Sequence, residues 1–146
     1  MDLATLNVAY EQLRPHARAT RHLGSRDPNL AAMSLHLFAG LRVRDLHAAR
    51  PWYERLLGEP TFFPHATEAV WTLAEGRSLY VVEDADRAGH CVVTIFVDDL
   101  DARVAEIAAR GLDPDERPTY SNGVRKAVYR DPDGNELGFA GAPVAD

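Results

Sequence analysis

Two histidines and one glutamate have the residue types and the spacing for metal chemistry. His36 and His90 are 54 residues apart, which is also the period of an internal repeat, and Glu136 lies in the second copy of that repeat. Two imidazoles and one carboxylate resemble the ligand set of a non-haem iron site. Arg42 adds a second possibility, because a guanidinium can steady an enolate or carboxylate while Glu136 or His90 acts as a base. Both possibilities depend on the elements that carry these residues.

Composition and charge exclude some classes of function. The chain has 146 residues, with Lys+Arg 16 against Asp+Glu 22 and a formal net charge of −6. Its basic residues are scattered arginines and one lysine, Lys126, so no basic stripe is present to neutralise nucleic-acid phosphates. The single cysteine, Cys91, permits no intrachain disulfide, and no apolar run approaches the ~18 residues of a membrane helix. We therefore expect a cytoplasmic protein without nucleic-acid or membrane partners, and a buried, inert thiol.

An internal repeat organises most of the chain. Residues 41–48 realign with residues 95–102 at an offset of 54, and residues 69–71 realign with residues 127–129 at an offset of 58. Such self-similarity indicates two copies of one supersecondary unit. The predicted organisation is an N-terminal helix and linker, a two-module domain and a short tail, at residues 1–34, 35–141 (modules 35–89 and 90–141) and 142–146.

Each copy predicts one strand, one helix and three further strands. In the first copy the alternation over 37–43 predicts a strand, and Asp45 is placed to cap a helix with a single apolar stripe that ends at Gly58. Strands are then expected at 62–63, 68–73 and 78–83. In the second copy a strand at 92–97 precedes a helix that begins after Asp99, and three strands follow, the last ending at Phe139. The fold class predicted is α+β, with two βαβββ modules and eight strands.

A helix covers one side of each mixed sheet, so the other sides could curl toward each other and enclose a cup for a ligand. The alternation of strand residues predicts which side chains point into this cup. The predicted ligand-binding residues are Phe38, Arg42, Trp71, Tyr80, Val92, Thr94, Phe96, Glu136 and Gly138. Arg42 could pair there with Glu136 or bind an acidic group of the ligand. His65 and Glu68 are predicted to be solvated at a loop.

The motifs resemble one known superfamily over residues 36–140. These motifs are Leu41-Arg-Val-Arg-Asp-Leu46, Trp52-Tyr53, Leu57-Gly58, Val97-Asp-Asp-Leu100 and Asp131-Pro-Asp-Gly-Asn135. Together they are similar to the vicinal oxygen chelate superfamily, which includes glyoxalases, extradiol dioxygenases, fosfomycin-modifying enzymes and bleomycin resistance proteins. The resemblance implies the paired βαβββ fold, whereas activity depends on the site.

The resemblance also implies where metal-dependent members hold their metal. Mapped by the motifs, the four ligand positions are Phe38, Tyr80, Val92 and Gly138, and none is an ordinary metal ligand. The implied two-fold relation between the modules moves His36 and His90 apart, because a step of two residues is about 6.6 Å along each strand in opposite directions. We therefore predict no metal and no cofactor.

Three functions remain open from the sequence, and the least supported is a regulatory or interaction module that uses residues 1–33 as a partner helix. The first is a metal-independent protein of the bleomycin-resistance type that binds an aromatic or heteroaromatic small molecule, as a homodimer and without catalysis. The alternative is an isomerase or lyase of the same superfamily, either metal-free or with the shifted metal site, using Glu136, His90 or Arg42 as catalytic residues. The absence of a nucleophile and base at recognisable spacing favours the first.

Overall fold

The computed structural model describes residues 36–143, which contain two tandem modules. The elements in chain order are β1 (Leu37–Val43), α1 (Leu46–Leu57), β2 (Phe62–His65), β3 (Glu68–Ala74), β4 (Arg77–Glu83), a 3-10 turn (Ala85–Arg87), β5 (Val92–Phe96), α2 (Leu100–Ala109), β6 (Arg125–Arg130) and β7 (Glu136–Gly141). The sheet orders are β1-β4-β3-β2 and β5-β7-β6. The β1–β4 and β5–β7 pairs are parallel and the others antiparallel. The predicted α+β class is confirmed, while the predicted N-terminal helix lies outside the described residues.

Both helices begin at equivalent positions of the repeat. The carboxylate of Asp45 accepts a hydrogen bond from the Ala48 N–H at 3.0 Å, and that of Asp99 accepts one from the Ala102 N–H at 2.9 Å. Such caps satisfy backbone donors that the first helical turn leaves open. Neither helix between residues 36 and 143 has the length and apolar character needed to span a membrane.

The second module departs from the prediction by one strand. Where an eighth strand was expected, the described chain forms only two isolated bridges, Glu116 to Val128 and Thr119 to Arg125. Pro118 lies between these bridges and has no N–H to donate to a ladder, so continuous pairing with β6 is interrupted. The four residues that lengthen this copy lie in the same connection between α2 and β6.

One hydrophobic core joins the two modules. It contains the helix-facing side chains of both sheets together with the buried faces of α1 and α2, and its fully buried members include Leu41, Tyr53, Ile107, Tyr129 and Leu137. Because side chains alternate along a strand, the residues between these core positions lie on the side of each sheet away from its helix. We call these two sides the distal faces. Both distal faces are therefore turned away from the shared core.

A buried polar cluster around Asn135 fastens the modules to each other. The Asn135 amide donates to the Arg42 carbonyl of β1 at 2.6 Å, and its oxygen accepts from the Cys91 N–H at 3.0 Å. Asp131 accepts from the Asn135 amide at 2.7 Å and from the Tyr53 hydroxyl at 2.6 Å. The connecting turn needs the positive φ of 98° at Gly134, which a residue without a Cβ adopts readily. The Asp-Pro-Asp-Gly-Asn motif is thus a structural latch between modules.

The latch predicts how stability depends on pH. Burial, and then the hydrogen bond to Asp131, raise the pKa of Tyr53 far above its ordinary value of 10.0. Above pH 10 the unfolded chain releases the Tyr53 proton while the folded chain retains it, so the free energy of unfolding falls as the pH rises. We expect this residue to contribute a fall of about 1.4 kcal/mol per pH unit above pH 10. Urea unfolding of wild type and Tyr53→Phe between pH 9 and 11 measures the contribution, and equal slopes would contradict it.

Candidate functional site

An aromatic pair lies on the distal face of the first sheet. The rings of Phe38 on β1 and Tyr80 on β4 are stacked, with centroids 4.9 Å apart and planes inclined by 20°. Tyr80 pairs with Gly40, and a Cβ added at Gly40 would lie 2.2 Å from Tyr80 Cζ. The absence of a side chain at Gly40 therefore lets the Tyr80 ring lie flat over β1. Both rings are half-buried, so each is partly open to contact with other groups.

A buried carboxylate accompanies this pair. Glu68 on β3 is 0% exposed, so the prediction that it is solvated at a loop is wrong. Its Oε2 lies 3.9 Å from His65 Nε2. Burial, and then the negative charge of Glu68, raise the pKa of the Tyr80 hydroxyl, with the positive charge of Arg42 opposing them. One signal could have found Glu68, because it realigns with Lys126 at the offset of 58, which places a charged residue at the same position of both copies.

The distal face of the second sheet exposes apolar side chains. On β5, Val92 is 68% exposed and Phe96 is 73% exposed. Thr94 lies between them and pairs with Gly138 on β7. These fractions mean that nothing in the described part of the chain covers β5 on this face, whereas Val128 and Ala140 on the same face are buried. The cup expected between the two distal faces is therefore not closed within one described chain.

A row of charges crosses the same face beside β5. Lys126 Nζ donates to Glu136 Oε1 at 3.0 Å, and an Arg130 guanidinium nitrogen lies 3.5 Å from Glu136 Oε2. A Cβ added at Gly138 would lie 2.0 Å from Lys126 Cε, so the lysine stem occupies the space above that glycine. Lys126 and Arg130 were not among the predicted site residues.

The predicted pair between Arg42 and Glu136 is wrong. Arg42 Nε lies 3.2 Å from Asp84 Oδ2, and Glu136 is held by Lys126 and Arg130 instead. The reason is topological, since Asp84 directly follows β4, the parallel neighbour of β1, whereas Glu136 belongs to the other sheet. Arg42 and Glu136 thus have separate ion-pair partners, and His90 is exposed in the connection just before β5.

Trp71 does not lie on the distal face, so its predicted position on the cup wall is wrong. It pairs with Leu79, whose side chain belongs to the core, and is itself 2% exposed. Its indole N–H donates to the Gly58 carbonyl at 2.8 Å, and its ring lies 5.8 Å from that of Tyr53. Trp71 therefore ties β3 to the end of α1.

The remaining chemical candidates are dispersed. Among residues 36–143, no group of three or more histidine, cysteine, aspartate or glutamate side chains is arranged to hold a metal ion. Cys91 is half-buried against the core rather than fully buried as predicted. A hollow of about 450 Å³ lies beside α1 and β2, and the Arg50 guanidinium covers the Phe63 ring there at 4.8 Å.

Two tandem modules, each with a helix on one side of a mixed sheet, define a glyoxalase-like α+β domain. Residues 34–139 match the Glyoxalase/Bleomycin resistance protein/Dioxygenase superfamily, and the chain belongs to this superfamily. The family resemblance inferred from the motifs is therefore confirmed. No curated protein matches the chain.

Solved structures share this fold. A glyoxalase/bleomycin resistance protein from Catenulispora acidiphila DSM 44928 is 54% identical, with a TM-score of 0.72 over 75% of this chain and 100% of that chain. An antibiotic-binding protein from Streptomyces sp. CB03234 is 25% identical, with a TM-score of 0.57 over 76% and 98%. A bleomycin-binding protein in complex with bleomycin is 18% identical, with a TM-score of 0.61 over 74% and 98%, and this likeness is one of fold.

The residues present do not fit the metal that some members of such folds use. Phe38 and Val92 offer no donor atom, and burial raises the pKa of the Tyr80 hydroxyl, which disfavours the phenolate a metal would need. At Gly138 the available space is filled by Lys126, whose ammonium repels a divalent cation. This donor set supports no metal-dependent chemistry at these four positions.

Proposed function

We propose that this protein binds flat aromatic or heteroaromatic small molecules without a metal. The observation that carries the proposal is the Phe38–Tyr80 stack on one distal face, together with the exposed Val92 and Phe96 on the other. Apolar and aromatic walls with a few polar groups are typical of small-molecule sites. The similar Streptomyces protein binds an antibiotic, which is consistent with ligand capture rather than catalysis.

The proposed site is completed by a second copy of the chain. The two distal faces are turned away from one shared core, so a single chain does not bring them together. A homodimer would place the first sheet of one copy opposite the second sheet of its partner and cover the apolar side chains of β5. Light scattering on the purified protein tests this assembly, and a monomer that retains full ligand affinity would contradict it.

Truncation of the aromatic side chains tests the site itself. We expect Tyr80→Ala and Phe96→Ala each to weaken binding of the neutral fluorescent probe N-phenyl-1-naphthylamine about tenfold to a hundredfold, because a stacking contact is lost. Phe63→Ala is the matched control, since Phe63 is 45% exposed but lies beside Arg50 on the other side of the sheet. Equal losses in all three variants, or none, would overturn the assignment.

Removal of metal is expected to change nothing. We predict that the purified protein keeps its melting temperature within about 1 °C after treatment with a strong chelator, because a site without donors gains no stability from metal. Elemental analysis should find no stoichiometric transition metal. One equivalent of metal that is lost in His36→Ala or His90→Ala would contradict the prediction and support a site formed by these histidines.

A further inference from the structure

Lys126 is the one lysine among the 16 basic residues of the chain, and its position on the second distal face is unusual. Its side chain is only 12% exposed, although lysine ammonium groups normally remain in water. Burial of an ammonium is costly unless the group is paired and hydrogen-bonded. The contacts around Lys126 therefore bear on the role of its ammonium group.

The Lys126 stem crosses β7 above Gly138, where no side chain blocks it. Lys126 on β6 pairs with Ala140 of β7, and its stem passes over Gly138 toward Glu136. Any side chain at residue 138 would collide with this path, since an added Cβ would lie 2.0 Å from Lys126 Cε. The ammonium is therefore set beside β5, where Thr94 pairs with Gly138 and the neighbouring Val92 and Phe96 are exposed.

The Lys126 ammonium keeps N–H donors that could bind an anion. Glu136 is shared, with one oxygen 3.0 Å from Lys126 Nζ and the other 3.5 Å from Arg130. The same Arg130 nitrogen lies closer to Glu116 Oε1, at 2.7 Å, so Arg130 has a carboxylate of its own and Lys126 is the main partner of Glu136. An ammonium has three N–H donors, of which the bond to Glu136 uses one. The others are available to an oxygen placed over β5.

The first distal face has the opposite character. Glu68 occupies the position equivalent to Lys126 in the repeat, and its carboxylate is buried near the Tyr80 ring. The ammonium of Lys126 thus lies on the second face where the first face has a carboxylate, so an anionic group on a ligand would be attracted to the second face. The two faces therefore give a bound molecule one orientation.

We propose that Lys126 Nζ binds an anionic oxygen, such as a carboxylate, sulfonate or phenolate, carried on the aromatic ligand. This inference rests on the proposed function, because it names the class of molecule that the same site selects. Charge-assisted hydrogen bonds in a partly desolvated site are stronger than neutral ones and favour the anion over its neutral analogue.

Two probes that differ by one charged group test the inference. 8-Anilinonaphthalene-1-sulfonate and N-phenyl-1-naphthylamine share the same rings, and the first adds a sulfonate. In fluorescence titrations of the full chain we expect the sulfonate to bind about tenfold more tightly than the neutral compound. Lys126→Met should abolish this preference, because the sulfonate should lose more affinity than the neutral probe. Lys126→Arg should keep the preference.

Glu136→Gln is the complementary variant, because it removes the countercharge and keeps the side-chain shape. We expect it to raise the affinity for the sulfonate a few-fold relative to the neutral probe, which a purely structural role of the pair would not produce. If Lys126→Met does not fold, as judged by circular dichroism, Lys126→Arg and Glu136→Gln still decide the question.

The results separate this inference from the proposed function. Equal affinities of the two probes for wild type, or an equal loss of both in Lys126→Met, would overturn the role of Lys126 while aromatic binding stands. The sulfonate could instead bind in a Lys126-dependent way with the same affinity in Tyr80→Ala and Phe96→Ala as in wild type. That result would support the anion site and overturn the role of the aromatic side chains. Failure of both probes to bind would overturn both proposals.

Discussion

Asn135→Ala is expected to lower the free energy of unfolding by about 3–5 kcal/mol, because it breaks the latch between the modules. Asn135 is 0% exposed and its side chain bonds to the Arg42 carbonyl, the Cys91 N–H and Asp131. Alanine would remove this partner from one buried group, Asp131, and from two part-buried backbone groups, and each such loss costs about 1–3 kcal/mol. Urea unfolding followed by circular dichroism measures the change.

Asn122→Ala is the matched control for the latch. Its side-chain oxygen accepts from the Val124 N–H at 3.1 Å, but this turn lies at the surface. Water can replace the lost bond there, so we expect a change within about 1 kcal/mol. The latch would be refuted by similar small losses in Asn122→Ala and Asn135→Ala.

Trp71→Ala is expected to cost about 3–5 kcal/mol of stability, because a large buried side chain is replaced by a cavity. Trp71→Phe should cost less, about 1–3 kcal/mol, since most of the ring volume is kept but the Gly58 carbonyl loses its donor. Urea unfolding at neutral pH measures both losses. Circular dichroism is the probe, because the variants lack the indole fluorescence of Trp71.

Phe63→Ala provides the comparison for Trp71, because this ring is already 45% exposed and its removal should cost about 1 kcal/mol or less. A stability loss in Trp71→Ala no larger than that of Phe63→Ala would make Trp71 a candidate ligand contact again. The pair of variants thus separates a core role from a role at the distal face.

The repeat explains how much of the fold could be predicted. Asp45 and Asp99 begin their helices at equivalent positions, as the local pattern of cap and apolar stripe predicted. The alternation on β1 and β5 also predicted the side on which Phe38, Val92 and Phe96 lie. The start of a helix and the side on which a strand residue lies depend on neighbours within a few residues, so the sequence predicts them directly.

The sequence of the Asp131–Asn135 motif predicted a turn, but it did not predict the contacts that make this turn a latch between the modules. Proline and glycine at suitable positions indicate the local backbone conformation. The contact with the Arg42 carbonyl, by contrast, joins residues 93 positions apart in the chain. It arises only when the two modules pack.

Three features of the site were decided by the tertiary structure. On β3 the run Ala69-Val70-Trp71 is buried throughout, so alternation of polar and apolar residues could not assign Trp71 to either side of the sheet. Arg42 takes Asp84 as its partner because β1 and β4 are parallel neighbours. Glu68 is buried although its residue type favours solvent. The sequence alone thus determined the repeat and its helices, because these depend on local periodicity, and its motifs indicated the superfamily by resemblance. Strand register and module packing determined which charges meet and which aromatic rings lie on a distal face, because those contacts join residues far apart in the chain.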